Sequence, residues 1–550
     1  MISPSSTLHP SSHAVPDDCT LVMAPSTIPN AGWGVFTLTE RRKNEPLLRR
    51  RQWTDDHLLA YGDLVIQLPD LQHPLGAKKL LWEYLWDARE TGGQYEGLQV
   101  VSFVPGVAML ANGDATYFNV LPSLQPNMDN AGATRRRSNS SPGIGAFTQY
   151  HNFTWYVSKD MVAGDEVFIN YGHGWFQERG FESSVPPHKR MDRPTVSKLR
   201  DEGYCLDNLR PGLSSIPHAG RGAFAKRNFS NGTVVAPVPV LPISKVSMQM
   251  LKQHHDGRWV ETQQLLTNYC YGHSQSTLLL CPYSDMVHLI NHGHRTNDST
   301  TTQKSANVRL QWSTTHGPQY FNRSMEELQE TSTRLMLELV ALRDIQEGDE
   351  IFLDYGPEWS HSWHQHVEGW LPLQDEDYVP SYVLNQQLSS RPLLTMVEQK
   401  TRPYPDNIFT SCYYNLTLEE IEAALPTQYN AGQPQAQRVA EWKHSDGIFE
   451  PQNLRPCLLL DRNKDEDSNH FYTVRLMNRP GTKEKERLPK TIAFVVTQVP
   501  RRAVRFSDKI YTTDQHLETA FRQPIGIDLF PKQWLDLQDG KGGGRDIELS

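Results

Sequence analysis

Alternation of apolar and polar residues over short stretches dominates the chain and predicts β-strands. Residues 308–312 alternate cleanly, which predicts a strand with one buried face. At 167–171 and 351–355 both alternating sets carry apolar residues, which predicts strands buried on two faces or close to a site. Apolar residues in 79–89 recur at three- and four-residue spacings, which predicts a helix. We therefore expect a mostly β fold with interspersed helices, of the α+β class.

A further group of strand patterns lies near the carboxyl end. Residues 457–460 and 470–476 are apolar-rich runs separated by a polar turn, which predicts a β-hairpin. A third run at 492–496 follows a loop rich in Lys and Glu. These runs predict a smaller β-rich domain of unassigned role.

Two unlike motifs occur twice in the chain. Residues 26–36 recur as 214–224, and residues 163–172 recur as 347–356, in the same order and at nearly the same offset. Such spacing predicts a duplicated domain, and each copy is long enough to fold by itself. The predicted parts are a disordered N-terminal tail (1–18), a first repeated domain (19–180), a linker (181–203), a second repeated domain (204–373), the β-rich domain (374–540) and a flexible tail (541–550).

Composition excludes some classes of function. Apolar residues make up 38% of the chain and aromatic residues 10%, which is enough for real cores. The net charge of −9 argues against a free-standing nucleic-acid binder. The compact basic run Arg135–Arg137 is interpreted as a solvated loop. Because the sequence contains no run of about 18 apolar residues, we expect no membrane span.

Cysteine usage and the sequence near the amino end bear on metals and on the cellular compartment. The six cysteines are scattered and none forms a C-x-x-C pair, so we predict neither a zinc site nor a dense disulfide framework. Residues 1–18 lack the apolar segment of a signal peptide. Seven N-x-S/T triplets are a weak sign of secretion. An intracellular location, nuclear or cytoplasmic, is favoured, and a secretory route stays open.

The second repeat carries an ordered set of short motifs. Gly220-Arg221-Gly222 comes first, Asn291-His292 follows an apolar run, and Gly348-Asp349-Glu350 leads to Tyr355 and a glycine. In this order the motifs resemble the SET domain of protein lysine methyltransferases. The resemblance implies two SET-like β-clip domains, over roughly 20–180 and 200–370.

The resemblance also implies a cofactor and a place for it. In SET enzymes S-adenosylmethionine packs near the G-x-G turn, which here is Gly220, Arg221 and Gly222, and contacts the residues that match Asn291 and His292. Glycines allow a ligand to approach the main chain closely, which agrees with this placement. The acids of Gly348-Asp349-Glu350 are predicted to be structural, with carboxylates that face solvent or cap the turn.

Tyr355 is the predicted catalytic residue. By resemblance it lines the channel that receives the substrate lysine. A free lysine has a pKa near 10.4, so it must lose a proton before it can attack a methyl group. A water-poor channel beside a sulfonium cation lowers that pKa, and a tyrosine hydroxyl can align the amine. This chemistry requires no metal and no covalent nucleophile.

The first repeat departs from the family pattern. By the resemblance, Tyr171 is its catalytic candidate, and its cofactor-binding candidates are Gly32, Trp33, Gly34 and Asn119. Asn119 is aligned with the asparagine of the Asn-His pair, and Val120 replaces the histidine. We favour a weakened or inactive first domain, which is a degenerate scaffold if the histidine side chain matters. If the histidine acts mainly through its backbone, the first domain could still bind cofactor.

Neither repeat is flanked by the zinc-binding cysteine clusters of histone-directed relatives. In those relatives the clusters complete the wall of the lysine channel. Here that part of the wall is expected from the C-terminal region or from Trp359 and Trp363. The predicted function is S-adenosylmethionine-dependent protein-lysine N-methylation by the second domain. The alternative is a non-catalytic SET-fold scaffold or peptide-binding protein. The expected partner is a protein with a target lysine, and the acidic net charge favours a basic, histone-like one; nucleic acid and membrane partners are not expected.

Overall fold

A computed structural model gives the architecture of the molecule. It describes residues 15–48, 66–68, 83–87, 101–114, 117–122, 135, 138, 140–149, 153–171, 193–253, 259–294, 304–330, 334–373, 378–416, 436–445, 448–449, 453–477, 492–509 and 512–535. These residues form a mostly β molecule with a few short helices, which confirms the predicted fold class. None of the helices in these ranges combines the length and the apolar character needed to cross a bilayer.

The N-terminal region is built around a five-stranded sheet. Its elements are β1 (Leu21–Pro25), β2 (Trp33–Thr37), β3 (Ile66–Leu68), β4 (Trp86–Asp87), β5 (Val101–Phe103), α1 (Val107–Leu110), β6 (Asn112–Gly113), β7 (Val120–Pro122), β8 (Trp155–Val157) and β9 (Glu166–Ile169). Strand β9 lies between β2 and β6, and all four of its residues are buried, as the two-sided apolar pattern predicted. The helix predicted over 79–89 is wrong at its carboxyl end, because Trp86–Asp87 pairs with β5 as a strand; residues 79–82 and 88–89 lie outside the described ranges.

The middle region contains the largest sheet. Its elements are α2 (Val196–Glu202), β10 (Tyr204–Cys205), β11 (Leu209–Leu213), β12 (Arg221–Ala225), β13 (Val234–Ser244), β14 (Gln249–Gln253), β15 (Trp259–Gln263), β16 (Tyr271–Gly272), β17 (Leu278–Pro282), β18 (Asn291–His292), β19 (Val308–Trp312), α3 (Met325–Glu330), β20 (Met336–Ala341), β21 (Phe352–Leu353) and α4 (Pro357–Gly369). Strand β19 alternates buried and exposed residues over its first half, as its sequence pattern predicted. Strand β13 pairs with β17 on one side and β20 on the other, at the centre of the sheet.

The C-terminal region adds a six-stranded sheet. Its elements are α5 (Ser381–Gln387), β22 (Ile408–Tyr413), β23 (Ala436–Glu441), β24 (Leu454–Lys464), β25 (His470–Leu476), β26 (Ile492–Pro500), β27 (Val504–Asp508) and β28 (Ile525–Gly526). Strands β24 and β25 form the predicted antiparallel hairpin, and β26 pairs with β25 on its other side. The three strand patterns near the carboxyl end are thereby confirmed.

The last described segment, residues 512–535, leaves the C-terminal sheet and returns to the middle region. Strand β28 pairs in parallel with β16, and Trp534 is fully buried in the core of the middle region. The sequence analysis assigned residues 374–540 to one β-rich domain, but the end of this range packs against the middle region. The reason is that Ile525 and Trp534 bury their apolar surface against the middle region and not against the sheet that precedes them.

Disulfide bonds join all six cysteines, which the sequence spacing did not predict. The pairs are Cys19–Cys205, Cys270–Cys281 and Cys412–Cys457. The first pair links residues on either side of the whole N-terminal region because β10 pairs with β1. Residues that are remote in sequence are thus adjacent in the fold.

Candidate active site

The hairpin of β11 and β12 forms one wall of the site. Its strands pair antiparallel, and residues 214–220 make the turn between them. Gly220 has a φ of +79°, in the left-handed region that a Cβ disfavours. The first glycine of the G-x-G motif is therefore required by the backbone conformation of this turn.

The second glycine of the motif makes room for a side chain of the protein itself. A Cβ on Gly222 would lie 2.3 Å from Oε1 of Glu350. The sequence analysis expected a ligand against this part of the main chain. On the side where a Cβ would stand, the Glu350 carboxylate occupies the space, so internal packing by itself requires a glycine at this position.

Glu350 organises the turn. Its carboxylate accepts hydrogen bonds from the Ser214 hydroxyl at 2.6 Å and from the Ser215 backbone amide at 2.7 Å. The side chain is buried, whereas the neighbouring Asp349 is exposed and accepts from the Gln346 amide. Both acids thus have structural contacts, as predicted: Asp349 caps the turn before β21 at the surface, whereas Glu350 is buried and holds the 214–220 turn.

Asn291 ties the next strand to this turn. Its side-chain amide donates to the Arg221 carbonyl at 2.9 Å and to the Ser214 hydroxyl at 3.1 Å. The residue stands on β18, which pairs in parallel with β21. The asparagine predicted to hold a cofactor thus also fixes the backbone of the G-x-G motif.

His292, the next residue on β18, connects to the predicted catalytic tyrosine. Its Nδ1 accepts from the Tyr355 backbone amide at 3.1 Å, and its Nε2 lies 3.3 Å from the Ser360 hydroxyl. Burial, together with the nearby His294, lowers the pKa of His292 to about 4. The ring is therefore neutral near pH 7, and the proton it retains is on Nε2, since Nδ1 is an acceptor.

A hydrogen bond orients the Tyr355 hydroxyl. It donates to the carbonyl of Ile290, directly before the Asn-His pair. Burial raises the pKa of Tyr355 far above its ordinary value. The hydroxyl is thus protonated at any physiological pH, and it serves as a donor or an aligning dipole rather than as a base.

A cavity of about 600 Å³ opens beside these residues. Its wall includes Ile216, His218, Arg221, Tyr269, Tyr271, Asn291, His292, His294, Lys304, Tyr355, Trp359, Trp363, His364, Phe521 and Ile525. Arg221 is only 5% exposed, and burial lowers its pKa to about 9, so the guanidinium remains charged at neutral pH. The structure therefore brings Arg221, Asn291, His292 and Tyr355 to one cavity.

Three aromatic residues close one side of the cavity. The rings of Trp359 and Trp363, one helical turn apart on α4, are stacked with centroids 5.7 Å apart. Phe521 meets both of them edge-on, at 5.5 Å and 5.1 Å. Trp359 and Trp363 and, from the C-terminal region, Phe521 therefore all line this cavity.

The C-terminal segment is anchored at two places near this wall. The Gly526 amide donates to the Tyr355 carbonyl at 2.9 Å. Twelve residues earlier in the segment, Asp514 forms a buried ion pair with Arg135, with 2.5 Å between Oδ1 and Nε. The interpretation of Arg135 as part of a solvated loop is therefore wrong; Arg136 and Arg137 lie outside the described residues.

A matching set of contacts occurs in the N-terminal region. The Glu166 carboxylate accepts from the Ser26 hydroxyl at 2.7 Å and from the Thr27 amide at 2.9 Å, and a Cβ on Gly34 would lie 2.4 Å from it. Gly32 has a φ of +76°. The two G-x-G turns are thus held by the same chemistry, a buried glutamate at the start of β9 in one region and two residues before β21 in the other.

The asparagine of the N-terminal site is Asn112. Its amide donates to the Trp33 carbonyl at 2.7 Å and to Glu166 at 3.2 Å, as Asn291 does to Arg221 and Glu350. Asn119 instead exchanges hydrogen bonds with the β9 backbone, as Asn307 does with β21. The alignment of Asn119 and Val120 with the Asn-His pair is therefore incorrect.

Tyr171 fills the place where a histidine would follow Asn112. Its hydroxyl donates to the Ala111 carbonyl at 2.8 Å, but its ring lies against Gly113, where a Cβ would come within 2.3 Å of it. Trp33 points away from this position and packs edge-on against His316 at 4.7 Å. The N-terminal site thus keeps its backbone frame and has no room for a histidine side chain.

Comparison with known proteins assigns the middle region. Residues 220–356 match the family model of the SET domain. The match confirms the predicted SET domain over these residues. No curated protein matches the chain.

Solved structures of SET-domain proteins are also similar to parts of the chain. A Plasmodium falciparum structure described as a candidate histone methyltransferase has 18% identity and a TM-score of 0.18, covering 28% of this chain and 96% of its own. ATXR5 in complex with mono-methylated histone H3.1 has 13% identity and a TM-score of 0.17, covering 32% of this chain and 66% of its own. The assignment rests on the family match.

Three participants in the site were missed or misplaced from the sequence. Glu350 had a signal, because it recurs as Glu166 within the repeated segments, and Asn112 had one, because it follows an apolar run as Asn291 does. An isolated acid or asparagine, however, has many other uses. Phe521 had none, because nothing in its neighbourhood resembles a SET motif. Its place follows from the return of residues 512–535 to the middle region.

Proposed function

We propose that the chain is an S-adenosylmethionine-dependent protein-lysine N-methyltransferase whose catalytic site is the cavity beside Tyr355. The observation that carries the proposal is the position of the Tyr355 hydroxyl. It is protonated, oriented by the Ile290 carbonyl, and set in a cavity wall with Trp359 and Trp363. This arrangement suits the alignment of a neutral amine. Direct methyl transfer to an amine requires no covalent nucleophile from the protein.

The residues present fit the cofactor. Arg221 offers a buried, charged guanidinium to the carboxylate of its amino-acid end, which an arginine binds well. Aromatic rings such as Trp359 offer a face to a purine or to a sulfonium cation. When bound, S-adenosylmethionine supplies a methyl group; the N–C bond forms as the S–C bond breaks, and sulfur keeps the electron pair.

The protein's own residues prepare the acceptor. An apolar aromatic wall excludes water and disfavours the ammonium form of a lysine, so the proton leaves to solvent before attack. The Tyr355 hydroxyl and nearby carbonyls then orient the amine. His292 holds the backbone of Tyr355 through Nδ1 and has a positioning role.

The N-terminal region is proposed to be a second, non-catalytic copy of the same domain. The shared contacts of Glu166 and Glu350 support a tandem duplication. The ring of Tyr171 covers Gly113, in the place that corresponds to His292. The copy therefore acts as a scaffold whose sheet is completed by β10.

The test uses the full chain, because Phe521 and Ile525 belong to the cavity wall. Calorimetric titration with S-adenosylmethionine measures binding, and transfer of a labelled methyl group to lysine peptides measures activity. Tyr355→Phe should lower transfer by about a hundredfold and leave cofactor affinity within about twofold, because the hydroxyl acts on the acceptor.

Tyr171→Phe is the matched control. It removes the equivalent hydroxyl bond, from Tyr171 to the Ala111 carbonyl, at the proposed non-catalytic site. Transfer should stay within about twofold of the unmodified chain. Loss of transfer in Tyr171→Phe with full activity in Tyr355→Phe would reverse the assignment. Absence of cofactor binding by the full chain would favour the non-catalytic SET-fold protein instead.

A further inference from the structure

The charges in the cavity wall are of one sign. Among the described residues that line the cavity are the cations Arg221 and Lys304 and several histidines, and none is an aspartate or glutamate. Burial lowers the pKa of His288 to about 3 and that of His292 to about 4, so both of these rings are neutral. The described wall is therefore apolar with a positive component.

The carboxylates closest to the cavity in sequence are engaged elsewhere. Glu350 accepts from the Ser214–Ser215 turn, and the Asp354 carboxylate accepts from the Gly356 amide at 2.9 Å. Glu358 and Glu368 are exposed on α4 but do not line the cavity. An approaching ligand thus meets no described carboxylate on the wall.

The cation at the opening is accessible. Lys304 is exposed, and the exposed His218 and His364 lie on the same cavity wall. Exposed charges act over about 8–10 Å at physiological ionic strength, so the residues at the opening influence a bound segment most. Lys304 also borders an adjoining cavity with Asp344 and Asp349, whose carboxylates accept from the Asn231 and Gln346 amides.

Resting on the proposed methyltransferase activity, we propose that the acceptor lysine lies in an acidic segment of its protein and not in a basic one. Acidic neighbours of the lysine are attracted by Lys304, and basic neighbours are repelled. Among the described residues of the wall there is also no carboxylate that would stabilise the lysine ammonium, which favours the neutral amine that attacks the methyl group.

Two pools of nonapeptides test the inference with the full chain. Each peptide has one central lysine; the flanking positions are Asp, Glu, Gly and Ser in one pool, and Arg, Gly and Ser in the other. Transfer of a labelled methyl group at low ionic strength should be about tenfold faster for the acidic pool, and the difference should shrink at high salt. Equal rates, a faster basic pool or no transfer to either pool would overturn the inference.

Charge reversal at the opening gives a second test. Lys304→Glu should reduce the preference for the acidic pool by at least about fivefold, whereas Lys400→Glu, a reversal of an exposed lysine in the C-terminal region, should not change it. An unchanged preference in Lys304→Glu would contradict the assigned role of this residue. Cofactor titration of the same preparations separates the two proposals, because binding without pool preference overturns only the substrate inference.

Discussion

Gly222 and Glu350 are so close that any other residue at position 222 would collide with the glutamate. The site for a Cβ on Gly222 lies 2.3 Å from Oε1 of Glu350, whose carboxylate holds both serines of the adjoining turn. The same relationship joins Gly34 and Glu166, at 2.4 Å. The second glycine of each G-x-G motif is thus explained by internal packing.

Gly222→Ala should destabilise the protein and weaken cofactor binding. The methyl group displaces the Glu350 carboxylate, which breaks its hydrogen bonds to Ser214 and Ser215 and costs about 2–3 kcal/mol of unfolding free energy. Because this turn lines the cavity, affinity for S-adenosylmethionine should fall as well. Denaturant unfolding and calorimetry measure the two effects.

Two substitutions serve as controls for this result. Gly34→Ala creates the same collision with Glu166 and should reduce stability without changing cofactor affinity. Gly369→Ala, at the end of α4 with no atom within 4 Å of the added Cβ, should change neither. If Gly222→Ala left the affinity for S-adenosylmethionine unchanged, this turn would not be part of the cofactor site.

Asp508 should make stability depend on pH in the acidic range. Burial raises the pKa of Asp508 to about 6, from an ordinary value near 4, while it accepts bonds from the amide and hydroxyl of Ser381. Between about pH 4 and pH 6 Asp508 is therefore protonated in the folded state and ionised in the unfolded state. As pH rises from about 4 to about 6, unfolding free energy should fall by about 3 kcal/mol and then stay level.

Asp508→Asn isolates this contribution, because an amide resembles the protonated acid. The difference in unfolding free energy between Asp508→Asn and the unmodified chain should grow in favour of the variant between pH 4 and pH 6. Urea unfolding at a series of pH values measures it. Parallel curves for the two proteins would show that Asp508 ionises equally easily in both states.

The ion pair between Arg135 and Asp514 should contribute far more than an exposed one. Both side chains are buried, so Arg135→Ala leaves a buried carboxylate without its cation, which costs about 3–5 kcal/mol. Since Asp514 anchors the segment that carries Phe521, cofactor affinity should decline too. Thermal unfolding and calorimetry report these effects.

The matched control is Arg42→Ala, which breaks the pair between Arg42 and Asp160, whose side chains are 71% and 64% exposed. It should change stability very little. The double variant Arg135→Ala/Asp514→Ala should recover part of the loss, because it no longer buries an unpaired charge. Equal losses of stability in Arg135→Ala and in the control Arg42→Ala would contradict the anchoring role.

The disulfides should differ in their contribution to stability. Cys19–Cys205 closes a separation of 186 residues and Cys270–Cys281 one of 11, so the loop-entropy difference is about 2–3 kcal/mol in favour of the first pair. Paired Ser substitutions compared by denaturant unfolding test this order. Alkylation before and after reduction tests the bonds themselves, and protection of all six cysteines would favour an oxidising compartment over the intracellular one expected from sequence.

Local patterns predicted the strands and the SET motifs because both depend on near neighbours along the chain. The β24–β25 hairpin needs only two apolar runs and a polar turn. The helix predicted over 79–89 was wrong beyond residue 85, because sheet pairing with β5 overrides a local helical spacing. Asn119 was aligned with the asparagine of the Asn-His pair, but it bonds to the backbone of β9. The sequence does not indicate which strand the side chain of an asparagine will contact.

The sequence by itself determined that the chain is mostly β, that two motifs recur, and that the second set belongs to a SET domain. These features are encoded in alternation, glycine positions and ordered short motifs, which do not depend on how distant segments meet. Only the tertiary structure decided that Glu350 fills the space over Gly222, that Tyr171 covers Gly113, and that Phe521 joins the wall of the cavity. Each of these depends on burial of side chains from remote segments, and burial is a property of the packed molecule.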